Sequence, residues 1–93
     1  MSEIERSTGD TNLPTQRMVP VIQRMGDRDI EVTFLGTNSK GQPTWILWNA
    51  HTPYLIGLLS QGGLGFTFEQ RTSAGVMLHE HVPLQRVQRA ISS

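Results

Sequence analysis

At 93 residues the chain supplies one domain at most, and with 37% apolar residues so short a sequence builds a core that stabilises only modestly, so assembly into oligomers is expected. Eight Lys plus Arg balance eight Asp plus Glu, which excludes a global basic field; any nucleic-acid contact has to be local. There is no cysteine, which excludes disulfides and thiolate metal sites, and no apolar run of membrane length or signal-peptide pattern is present, which points to the cytoplasm.

Residues 1–16 are rich in Ser, Thr, Glu and Asp and read as a disordered arm, leaving 17–93 as the folded domain. Pro20 suits the first turn of a helix, and Val21, Ile22 and Met25 share one helical face, so a short N-terminal helix ending at Gly26 is expected. After Asp27-Arg28-Asp29, the apolar residues Ile30, Val32 and Phe34 alternate with polar ones in the period of a half-buried strand. Thr37 to Pro43 is a turn by composition. Trp45-Ile46-Leu47-Trp48 then predicts a strand covered on both sides, and the odd spacing of the two tryptophans sends them to opposite faces.

Beyond Pro53, the run Tyr54 to Leu59 holds a glycine at Gly57, the mark of a bent strand or a close backbone approach. Gly62-Gly63 turns the chain, Leu64, Phe66 and Phe68 alternate along the next strand, and Val76 to Val82 forms the last, followed by Pro83 to Val87. One helix and about five short strands joined by Gly-containing turns predict a small closed or nearly closed barrel.

Two blocks of this pattern resemble the bacterial Sm-like, Hfq-like RNA-chaperone family: Pro20 to Leu35, and Gly57 to about Val87. In that alignment Gly57 falls on the glycine that bends the long second strand, and His81 on the histidine of a Lys-His pair. A segment at about 37–53 is an insertion containing both tryptophans. The resemblance implies a five-stranded Sm-like barrel that closes into rings of about five to seven subunits and binds RNA at pores and clefts. Several of the family's contact positions differ here: the lysine is Glu80, the stacking aromatic is Gly65 with Phe66 beside it, the glutamine is Met18, and a strand tyrosine is Leu35.

The candidate nucleic-acid residues are therefore His81 and Glu80 at the pore, Phe66, Arg28 at the former arginine-rich rim, and Lys40 with Trp48 in the insertion. His79 and His81 stand on one strand face about 7 Å apart, a spacing that suits zinc, but no third ligand accompanies them and no metal is assigned. No nucleophile elbow, P-loop or zincin helix occurs, so neither an enzyme nor a cofactor is expected. The sequence thus predicts a cytoplasmic ring protein that binds RNA or single-stranded nucleic acid. The alternative is an oligomeric protein-interaction or small-ligand module of the same fold.

Overall fold

The computed structural model describes residues 13–92. Six antiparallel strands follow one another as a meander, β1 (Val21–Met25), β2 (Arg28–Thr37), β3 (Pro43–Asn49), β4 (Leu55–Gly62), β5 (Gly65–Thr72) and β6 (Gly75–Val82), with sheet order identical to chain order. A single helix, α1 (Leu84–Ser92), ends the fold. The sheet is open, with β1 and β6 as its two edges.

Two expectations are corrected here. The segment after Pro20 is a strand instead of an N-terminal helix: Val21 pairs with Val32 and Met25 with Arg28 around a two-residue Gly26-Asp27 turn. Five residues are too few to hold a helix alone, whereas a tight hairpin onto β2 gives each of them a cross-strand partner. The architecture is accordingly not an N-terminal helix with a five-stranded Sm-like barrel but six strands and a C-terminal helix. The residues set apart as an insertion, about 37–53, contain β3, which pairs with β2 on one side and β4 on the other. The expected arm, 1–16, falls outside the described residues up to position 12. Beyond it, Leu13 packs against the core and the Pro14 carbonyl accepts a 2.8 Å hydrogen bond from Trp45 Nε1.

Strand alternation, interrupted on β4 by the extra residue Ile56, builds the core. Ile30 and Val32 of β2, Trp45 and Leu47 of β3, Ile56 and Leu59 of β4, and Phe66 and Phe68 of β5 are all buried. Burial of each such side chain contributes roughly 1.5–3 kcal/mol. Phe34, Trp45 and Phe66 form a run of tilted rings, with centroids 5.5 and 6.4 Å apart. The sheet bends where the register shifts, between Phe34 and Gly36, between Leu47 and Trp48, and between Phe66 and Phe68. At the second shift Gly57 lies opposite Leu47, and a Cβ there would fall on the Glu69 carbonyl oxygen and 3.0 Å from Phe68 Cε1. Only glycine lets β4 and β5 approach so closely.

α1 covers the bent sheet. Pro83 closes β6, its carbonyl accepts from the Arg86 and Val87 amides, and Leu84, Val87 and Ile91 then fall on one helical face and join the core with Met25 and Ile30. The helix runs from the end of β6 to the β1–β2 turn, where Ser92 Oγ accepts a hydrogen bond from the Asp27 amide. Gln70 Nε2 donates to the Ala90 carbonyl at 3.2 Å and ties the helix to β5. Arg86 and Arg89 are on its exposed side. Among the described residues, no helix is long and apolar enough to cross a membrane.

Candidate functional site

A meander places alternate turns at opposite ends of the sheet. The β1–β2, β3–β4 and β5–β6 turns share one end, with Arg28, Trp48, His51, Tyr54 and Arg71 beside them; the β2–β3 and β4–β5 turns and the end of β6 share the other, with Lys40, Gly65, Glu80 and His81. The six candidate residues are therefore not brought to one place. Arg28 and Trp48 lie at the first end, and Lys40, Glu80 and His81 at the second.

Phe66 is 7% exposed and packs against Trp45, so its ring is occupied by the core. His79 and His81 do not share a face as strict alternation requires. Phe66 pairs with Val82 but Phe68 with His79, so β6 has one residue more than β5 across this interval, and His81 takes φ 58°. His79 stacks on Phe68 at 5.7 Å and its Nε2 lies 2.9 Å from Gln70 Oε1, whereas His81 is exposed. Among the described residues, no group of three His, Asp or Glu side chains could hold a metal ion.

The first end has the more constructed surface. Trp48 follows the opposite-face rule: Trp45 is buried and Trp48 is half-buried on the outer face, opposite Glu31 and Leu55. The connection beyond it is held by Asn49, whose Oδ1 accepts from the His51 amide at 2.9 Å and the Thr52 amide at 3.3 Å, while its own amide donates to the Tyr54 carbonyl. An Asx turn of this kind fixes a short loop from within. The Ala50 amide donates to the Asp29 carbonyl and joins the loop to β2.

Tyr54 is left 49% exposed, with its hydroxyl 3.5 Å from the Arg71 carbonyl. A depression of about 400 Å³ lies between Trp48, Pro53, Tyr54, Leu55 and Arg71. A second, of about 200 Å³, shares Tyr54 and Arg71 and extends to Arg28 and Ile91.

The charges at this end divide in two. Asp29 accepts from Arg24 Nη1 at 3.0 Å and from His51 Nε2 at 3.1 Å, and the Arg24 hydrogen bond, followed by that of His51, holds its carboxyl below the usual carboxylate range. Arg24 and His51 are thereby engaged. Arg28 and Arg71 form no ion pair among the described residues and are both exposed. The surface therefore presents two aromatic rings, held by a stiff loop, beside two guanidinium groups. Sequence reasoning missed Tyr54 and Arg71: Tyr54 read as strand, and Arg71 was not singled out. Only the pairing of β4 with β5 makes them neighbours.

No family model matches the chain, and comparisons with curated proteins and with solved structures likewise give no match.

Proposed function

We propose that the chain is a binding module for single-stranded nucleic acid, RNA being the expected ligand, and that the contact is made by the end of the sheet carrying Trp48, Tyr54, Arg28 and Arg71. The observation that supports this reading is the depression in which Trp48 and Tyr54 stand together with Arg71. Bases stack on exposed aromatic planes at about 1–3 kcal/mol each, and neighbouring guanidinium groups reach the phosphates between them. With a balanced overall charge, stacking has to supply most of the affinity, and phosphate contacts are few.

The test is an anisotropy titration of a labelled single-stranded RNA with wild type and four variants. Tyr54→Ala and Arg71→Ala weaken binding, while Lys40→Ala and Glu80→Lys, at the other end of the sheet, leave it unchanged. The opposite pattern moves the contact to the Glu80 and His81 end. Absence of binding by wild type at tens of micromolar replaces this reading with a protein-interaction module.

A further inference from the structure

Strand β6 is an edge, and its consecutive residues Val76, Met77 and Leu78 are apolar and 57, 52 and 54% exposed. Alternation turns Val76 and Leu78 to the outer face and Met77 to the core-side face, so the strand is apolar on both sides. Natural edge strands are blunted by lysine, proline or a charge, and Gly75 to His79 contains no lysine, proline or carboxylate. The other edge, β1, is managed differently: it carries Arg24, paired to Asp29, and beyond it the Met18 amide takes up the Phe34 carbonyl of β2.

We propose that β6 pairs with β6 of a second copy of this chain, antiparallel about a two-fold axis at Met77. In this register Val76 faces the partner's Leu78 on both sides of the axis, and Met77 faces the partner's Met77. Glu80 falls opposite the turn at the partner's Ala74, away from the partner's Glu80. An axis at Glu80 opposes two carboxylates, and an axis at Leu78 sets Glu80 against the partner's Val76; both registers are disfavoured.

On the outer face β5 sets Arg71 beside Val76 and Glu69 beside Leu78. Each row across the axis therefore runs from Arg71 through Val76 to the partner's Leu78 and the partner's Glu69; the charged ends stand about 14 Å apart, three strand spacings, so the centre of the contact is apolar and no like charges oppose one another. The contact uses the same strand on both copies, so it closes as a dimer and does not grow into a ring. It shares Arg71 with the edge of the proposed nucleic-acid surface, but its test alters only β6 residues outside that surface, so the two readings fail separately.

Sedimentation of the full chain across the micromolar range gives twice the 10.4 kDa chain mass at the upper concentrations. Leu78→Lys, at a side chain already more than half exposed, keeps the wild-type fold by circular dichroism and raises the dimer dissociation constant by about tenfold or more. Because the chain has no cysteine, Met77→Cys oxidises to a covalent dimer, whereas Leu78→Cys does so only when combined with Val76→Cys. A monomer mass throughout, a mass that climbs past two chains, or a dimer in which Met77→Cys fails to cross-link overturns the proposal.

Discussion

Ser92 Oγ accepts a 3.1 Å hydrogen bond from the backbone amide of Asp27, joining the end of the helix to the first hairpin turn across 65 residues of sequence. The same hydroxyl and the Gln88 carbonyl occupy the space where a side chain at Gly26 would be, and Gly26 has φ 66°. The turn and the helix end are thus fitted to one another, and the helix closes the core that the open sheet leaves uncovered. Removing the hydroxyl in Ser92→Ala costs about 0.5–1.5 kcal/mol. Leu84→Ala, which opens a cavity beneath the buried start of the helix, costs about 2–5 kcal/mol. Urea unfolding midpoints of the two variants give this ranking; equal effects contradict the packing role of α1.

Gly57 places the tightest constraint on the sheet. A methyl group at this position meets the Glu69 carbonyl, a backbone atom held in the β4–β5 ladder, and cannot be relieved by a rotamer change. Gly57→Ala therefore destabilises by about 1–3 kcal/mol and Gly57→Val by more. Gly63→Ala serves as the control, since nothing lies within 4 Å of a Cβ there. A melting temperature for Gly57→Ala equal to that of Gly63→Ala counts against the bend.

Acid acts on the Asp29 cluster. Arg24, and after it His51, favour the ionised carboxylate, so the folded-state pKa is below the unfolded one and the unfolded chain binds the extra proton on acidification. The contribution to stability is present above the unfolded value of about 3.9 and is lost as pH falls through the lowered folded value. Asp29→Asn loses this acid dependence, with a small effect at neutral pH because the cluster is open to solvent. Melting temperatures of both proteins between pH 2 and 6 check it: the wild-type excess shrinks toward the acid end.

If phosphate is met by Arg28 and Arg71 alone, the salt dependence of RNA affinity is shallow, with a log–log slope of about −1.4 for two phosphate contacts on a single strand. Arg71→Ala reduces that slope by about half. A slope several times steeper indicates a basic surface elsewhere on the chain.

Much of this fold was legible in the sequence where alternation was clean. Ile30, Val32 and Phe34, then Phe66 and Phe68, marked their strands, and the odd spacing of Trp45 and Trp48 gave their opposite faces. Val21, Ile22 and Met25 fit a helix turn as well as a short strand, and what decided the matter was a long-range fact, pairing with β2 through a Gly-Asp turn. That dipeptide was itself a hairpin signal.

The C-terminal helix also left a trace, with Pro83 at its start and Leu84, Val87 and Ile91 at helical spacing. The bulge that separates His79 from His81 had none, because an extra residue in one strand depends on the register of its neighbour. The candidate surface was half legible: Trp48 and Arg28 were singled out from the sequence, but Tyr54 and Arg71 become part of it only through folding.

The proposed binding surface has a direct optical reporter, because Trp45 is 4% exposed and bonded through its indole to Pro14, which leaves Trp48 as the tryptophan a ligand can touch. Titration of the intrinsic fluorescence with an unlabelled single-stranded RNA measures base stacking at that ring. The predicted result is saturable quenching in wild type that is abolished in Trp48→Phe, where Trp45 alone emits. No quenching in wild type at tens of micromolar RNA, or the same quenching in Trp48→Phe, contradicts the account.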